Sequence, residues 1–157
     1  MERPVVLCGL GRVGWRVLES VRAAGRAVVV VDLHVSPDDP RVGGAKAVTG
    51  DCRRPEVLEA AGVRDAGGVV IVTSDDLVNV STALLARRLN PSARVVVRMF
   101  NQNLMTRLGG AVKNTIALSV SALTAPMLAL TAVTGDTLGA FKLDDGPRQI
   151  SELPVAA

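Results

Sequence analysis

With 157 residues and a formal net charge of +3, the chain has the size of one domain with at most a short extension. Its 18 Lys and Arg are scattered among 15 Asp and Glu, and aromatic residues make up only 2%, so neither a basic run nor a stacking platform for nucleic acid is present. Hydrophobic residues reach 48%, and with so few aromatics the core must be built of Val, Leu, Ile and Ala, as in a parallel sheet buried on both faces.

The first residues, Met1-Glu2-Arg3-Pro4, lack a signal-peptide layout and lead into an apolar strand at 5–8. A Gly-rich turn follows, then a helical pattern over 12–24 with Val13, Val17 and Val21 on one face and Gly25 as its stop. Residues 27–31 form a continuous apolar strand ending at Asp32. Residues 36–44 hold two prolines and two glycines and read as a loop with a broken short helix, in which Asp38 and Asp39 are a solvated pair. A third strand is expected at 45–49, a helix at 54–61 with Pro55 in its first turn, and a fourth strand at 69–73. The helix predicted at 75–90 is capped by Ser74 or Asp75, and Leu77, Val80, Leu84 and Leu85 are assigned to its inner face. A strand at 94–99, a short helix at 102–108 and a strand at 115–118 complete the alternation.

The apolar stretch 116–133 is about the minimum length of a membrane span, but it carries Ser119, Ser121, Thr124, Pro126 and Thr131. It is read as a helix buried against protein, with a span as the alternative and no direct membrane insertion expected. Pro126 should bend it or mark a hinge. Beyond Gly135 the sequence turns short, mixed and turn-rich. The predicted architecture is therefore an α/β Rossmann-type doubly wound parallel sheet of about six strands with a C-terminal crossover helix. Residues 1–135 form the main lobe, and 136–157 a short extension or the start of a second lobe.

The chemistry is concentrated in the first hundred residues. Gly9-Leu10-Gly11-Arg12-Val13-Gly14 fits G-x-G-x-x-G, directly after an apolar strand and opening a helix, the context the motif requires. Gly9 allows the tight turn, Gly11 lets a pyrophosphate approach the backbone, and Gly14 lets the helix lie close to the sheet. The phosphates then meet a helix N-terminus, and Arg12 can add a charge-assisted contact. Asp32 ends the second strand about 20 residues further on, where a carboxylate accepts hydrogen bonds from both ribose hydroxyls. A 2′-phosphate would meet like charge there, and Leu33 and His34 follow with no Arg to receive it. NAD or NADH is thus ranked ahead of NADP, with ATP, ADP and AMP as alternatives that share the adenosine and phosphate groups. Two cysteines, Cys8 and Cys52, make neither a disulfide framework nor a zinc spacing and read as small reduced thiols of a cytoplasmic chain.

Beyond this fingerprint, the chain resembles the RCK or TrkA-N domain family, the regulatory N-lobe of potassium transport proteins, from about Val5 to Gly110. Gly50-Asp51 with Pro55, Leu58, Ala61 and Gly62 resembles the family's segment after strand three. Val70-Ile71-Val72-Thr73-Ser74-Asp75-Asp76 with Asn79 resembles its fourth strand and helix start, and Val95-Val96-Val97-Arg98 its fifth strand. The resemblance implies adenine near Asp51 and Cys52 and further nucleotide contacts at Thr73, Ser74 and Arg98. It implies a homodimer or larger ring acting on the membrane subunit of a potassium channel or transporter, at the inner face of the cell membrane. The chain carries no pore, and it departs from the family in the proline-rich segment after Asp32 and in the missing or barely begun C-terminal lobe. It reads as an excised domain of a larger channel protein or as a soluble subunit.

Catalysis is not expected. His34 lies far from where a nicotinamide would sit, there is no tyrosine, and no substrate domain fits after Gly135. No metal site is expected either, since Asp75 and Asp76 suit a helix N-terminus. An NAD-dependent oxidoreductase fragment is the alternative to a nucleotide sensor. Finally, the apolar excess at Val120, Leu123, Met127, Leu128 and Leu130 calls for cover, and a second copy using the fifth-to-sixth strand region and residues 119–133 is expected to supply it.

Overall fold

The computed structural model describes residues 3–36, 38–101, 103–104, 113–134, 139–143 and 146–150. Six strands, β1 (Val5–Cys8), β2 (Val28–Asp32), β3 (Lys46–Thr49), β4 (Gly68–Ile71), β5 (Arg94–Arg98) and β6 (Thr115–Leu118), form one parallel sheet in the order β3-β2-β1-β4-β5-β6. The strands are short apolar runs, and side chains alternate between two cores. Leu7, Val28 and Val30 face one side, where α1 (Arg12–Ala23) packs with Leu18 buried and Val13, Val17 and Val21 beside it. Val6, Cys8, Val31, Val69, Ile71, Val95 and Val97 face the other, covered by α2 (Pro55–Ala60) and α3 (Asp76–Leu89). This is the doubly wound Rossmann-like architecture expected. Because β1 has β2 on one side and β4 on the other, the strand order reverses at its C-terminal end, where such sheets open a crevice.

The inner face of α3 differs from the expected one. Asn79, Thr82, Ala83 and Ala86 are buried, at the i, i+3, i+4, i+7 spacing of one stripe, while Leu77 is 70% and Leu84 49% exposed. Small residues let the helix lie close on the sheet. Val80 and Leu85 do pack at its margin, so only the two leucines were misassigned.

The expected irregular loop contains a single 3₁₀ turn, Pro40–Val42, in which the Asp39 carboxylate accepts from the Arg41 amide at 2.9 Å. Asp39 is therefore not a free solvated acid: it also pairs with the Arg41 guanidinium at 2.6 Å. Most of the short helix predicted at 102–108 lies outside the described residues. The apolar stretch divides into β6 and α4 (Val120–Thr134), which carries Pro126 inside it. The expectation of burial fails for α4 within one chain: Val120, Leu123, Leu128 and Val133 are all exposed, Val133 at 85%. Among the described residues no helix is long and apolar enough to cross a membrane. Gly139–Leu143 (β7) and Gly146–Ile150 (β8) form a separate antiparallel hairpin.

Candidate functional site

At the C-terminal ends of β1, β2 and β4 lies a cleft of about 840 Å³, within the range of small-molecule sites. Its floor is the turn from β1 into α1. Gly9 takes φ +99°, and a side chain there would press on the Thr73 and Val72 backbone at 3.1–3.2 Å, so β1 and β4 close together only with glycine. A Cβ on Gly14 would stand 1.9 Å from the Gly9 carbonyl oxygen, which is why α1 can begin directly beneath the loop. Gly11, the N-cap, differs from both: a Cβ there would meet nothing within 4 Å. It supplies no side-chain cap, so the first amides of α1 face the cleft with their donors uncommitted to a cap.

Asp32 stands at the end of β2 across from this turn. Its Oδ2 accepts from the Leu10 amide at 2.7 Å and its Oδ1 from the His34 amide at 2.9 Å. The carboxylate is thus locked to the glycine loop, and each oxygen retains acceptor capacity toward the cleft.

The far wall comes from β4, β5 and α3. The Asp75 carboxylate caps α3 by accepting from the Leu77 and Val78 amides at 2.8 and 3.1 Å. Asn79, fully buried, joins two strand ends. Its Oδ1 accepts from the Thr73 hydroxyl at 2.6 Å, and its Nδ2 donates to the Arg98 carbonyl at 2.9 Å and the Thr73 carbonyl at 3.2 Å. Asp76 accepts from the amides of Phe100 and Asn101 at 2.9 and 2.7 Å, tying the chain beyond β5 to the first turn of α3. The Arg98 guanidinium lies 4.2 Å from the centroid of the Phe100 ring.

The third corner follows β3. The Asp51 carboxylate accepts from the Arg53 amide at 2.9 Å and pairs with its guanidinium at 2.6 Å, bonds that hold Asp51 down to about 2. Cys52 is 7% exposed and in hydrogen-bonding contact with Cys8, which is wholly buried. The bond from Cys8, helped by the Thr82 hydroxyl at 3.2 Å, lowers the Cys52 thiol to about 7 against the opposing effect of burial. Cys8 is raised well above the usual thiol value by the same contact and by burial.

The cleft brings together Gly9, Gly11, Arg12, Val13, Asp32, Leu33, Asp51, Cys52, Thr73, Ser74 and Arg98. Two of the predicted residues do not line it. Leu10 is buried on the α1 side of the sheet and contributes only its backbone, and Gly14 serves packing. Among the lining residues that the sequence reading missed are Gly50, Arg53 and Asp75. Each is adjacent to a residue that was found, so the positions were near but their direction was not. It also missed Arg41, whose Nη1 reaches the Leu10 carbonyl at 3.2 Å because the 3₁₀ turn folds it back. Among the described residues no group of three His, Cys, Asp or Glu could hold a metal ion.

The profile of the TrkA-N domain family matches residues 5–117. The chain belongs to the TrkA-N domain family. Among its relatives is the Trk system potassium uptake protein TrkA of Streptomyces coelicolor, 31% identical over 104 residues, a match covering 62% of this chain and 44% of that protein. The curated relatives it matches are longer, and it spans only 19% to 44% of their length. Of solved structures, the TrkA-N domain of inner membrane protein ybaL from Escherichia coli superposes with a TM-score of 0.73 at 21% identity, over 83% of this chain and 97% of that one. The Kef C-terminal domain of Shewanella denitrificans, in an AMP-bound form, is 27% identical with a TM-score of 0.67, over 83% and 81%. The GsuK channel bound to NAD gives a TM-score of 0.72 at 22% identity, over 89% of this TrkA-N chain and 26% of the channel.

Proposed function

We propose that this TrkA-N domain is a nucleotide sensor that regulates a membrane potassium channel or transporter. The observation that carries the reading is the cleft itself, in which an open helix N-terminus at Gly11 faces a carboxylate, Asp32, already fixed by two backbone amides. In this reading phosphate lies on the amides of Gly11 to Val13 with Arg12 beside it, and the ribose diol on Asp32 and Leu33. The adenine sits by Asp51 and Cys52, and Thr73, Ser74 and Arg98 receive the remaining polar groups. The ligand is an adenine nucleotide. NAD or NADH fits the full span from Asp32 to Arg98, and AMP, ADP or ATP fits the Asp32 half. The nucleotides named with the Kef domain and the GsuK channel support both.

Regulation rather than turnover is the reading because the carboxylates of the cleft are already engaged, Asp32 by the Leu10 and His34 amides, Asp51 by Arg53 and Asp75 by the first amides of its helix. Residues 1–135 form the sensing lobe, and the hairpin opens a second element. The partners are a second copy, over the exposed apolar face of α4 and β6, and a potassium-conducting membrane subunit, with the domain in the cytoplasm at the inner face of the membrane. Ile116, Leu118 and Leu123, exposed at 49%, 38% and 55%, support the pairing.

Calorimetry of the purified chain with AMP, ADP, ATP, NAD and NADH tests the reading. Saturable binding of at least one, weakened by Asp32→Ala, is expected, together with a ligand-dependent change in oligomer size by light scattering. Absence of binding to all five, or steady oxidation of NADH with a small carbonyl substrate, would overturn it.

A further inference from the structure

Cys8 and Cys52 stand in different segments, the end of β1 and the turn after β3, yet both belong to one buried core cluster and their side chains interact there. The register explains the approach. Cys8 pairs with Val31, the next residue of β2 is Asp32, and Asp32 pairs with Thr49 and accepts from the Gly50 amide at 3.0 Å, so the turn from Gly50 to Arg53 starts level with the end of β1. The two thiols are also unequal. Cys52 forms part of the cleft wall, whereas Cys8 lies wholly buried behind it. The groups facing Cys52 are the Cys8 thiol, the Thr82 hydroxyl at 3.2 Å, the Asp51 carboxylate and the Arg53 guanidinium.

We propose that Cys52 and Cys8 are a peroxide-sensitive pair that closes a reversible disulfide under the cleft. Cys52 reacts first, because it alone is reachable and its thiolate is the nucleophile. Its sulfur attacks hydrogen peroxide: the S–O bond forms, the O–O bond breaks, and the second oxygen leaves as hydroxide, which takes up the proton Cys52 released and becomes water, giving a sulfenic acid. The Cys8 sulfur then attacks the Cys52 sulfur. The S–S bond forms, the S–O bond breaks, and the departing hydroxide takes the Cys8 proton as water. Two thiols and one peroxide give one disulfide and two waters, with the peroxide reduced by the two electrons the sulfurs lose. A dithiol reverses the reaction by exchange.

The link has a mechanical consequence. A disulfide holds its sulfurs about 2.05 Å apart, closer than any hydrogen-bonded contact. Closing it draws the residue before Gly9 toward the residue after Asp51, which moves the phosphate turn and the adenine corner together. Reduced affinity for nucleotide follows, a part of the inference that rests on the sensor reading of the cleft.

The experiment treats the reduced full chain with hydrogen peroxide near pH 7, blocks remaining thiols in denaturant, and reads mass and linked peptides. Loss of two hydrogens, no blocked thiol, and a peptide joining Cys8 to Cys52 are expected, all reversed by dithiothreitol. In Cys8→Ala the oxidation should run on to a sulfinic acid at Cys52, and Cys52→Ser should resist peroxide. A wild-type chain carrying sulfinic Cys52 with Cys8 still free, or only intermolecular links, overturns the pair. A second arm titrates AMP into reduced and oxidised protein, where a loss of at least about tenfold on oxidation is expected. If oxidised protein binds AMP as reduced protein does, the coupling is wrong. If reduced protein does not bind AMP but the link forms, the disulfide stands and AMP is not the nucleotide.

Discussion

Gly11 and Gly14 sit three residues apart in one motif, yet the structure gives them opposite consequences. A Cβ at Gly11 projects into the cleft and meets no protein atom within 4 Å, so Gly11→Val should fold. Replacing glycine by valine at an N-cap costs about 0.5–1 kcal/mol. The branched side chain then occupies the space above the first amides of α1. Two charge-assisted phosphate bonds, at about 1.5–3 kcal/mol each, are lost. Affinity should fall by about 3 kcal/mol or more, which is over a hundredfold. Gly14→Ala reverses the pattern. Its Cβ would lie 1.9 Å from the Gly9 carbonyl oxygen, so α1 must lift from the sheet by more than 1 Å. Such overpacking costs about 1–3 kcal/mol or more, against about 1 kcal/mol gained in helix propensity. Because the clash is with a backbone carbonyl, the upper end of that cost applies, and a net loss of about 2 kcal/mol is expected. Urea unfolding reads stability and calorimetry reads binding. A folded Gly11→Val chain that binds nucleotide like the wild type would refute the phosphate assignment, and a fully stable Gly14→Ala chain would refute the packing argument.

Asn79→Ala leaves the Thr73 amide and the Arg98 carbonyl without their buried partner, and should destabilise the fold by about 1–3 kcal/mol in urea unfolding. Asp32→Ala should weaken nucleotide binding by about 1.5–3 kcal/mol in calorimetry, and also slacken the loop, seen as faster amide exchange at Leu10. Asp51 titrates at about 2, below its unfolded value, so its contribution is full above about pH 4 and disappears as pH falls through 2. The stability difference between wild type and Asp51→Asn, followed by thermal unfolding, should therefore shrink over that window and stay flat from pH 5 to 8. Leu123→Asp with Met127→Asp should convert a dimer to a monomer in light scattering, without loss of helical circular dichroism.

The strands were legible because a parallel sheet covered on both faces turns its strands into unbroken runs such as Val28–Asp32 and Arg94–Arg98. The glycine loop and Asp32 were legible because backbone close approach leaves glycine little alternative. Leu77 and Leu84 misled because apolar size was taken for inwardness, whereas the inner stripe of α3 needs small residues and one bonding amide, Asn79. Arg41 was invisible because its reach to Leu10 depends on the turn geometry of residues 39–43, not on spacing from Asp32.

The two ends of the cleft are held in different ways. At the Asp32 end the acceptor is oriented by its own loop, so a ligand bound there as proposed would order little. At the other end Asp76 ties the first turn of α3 to the chain leaving β5, on the path to β6 and the exposed α4. If the cleft binds nucleotide as proposed, the first end would work as an anchor and the second as a lever arm. A ligand long enough to touch both would strain the lever against a fixed point, whereas a shorter one would fill the anchor and leave the lever at rest.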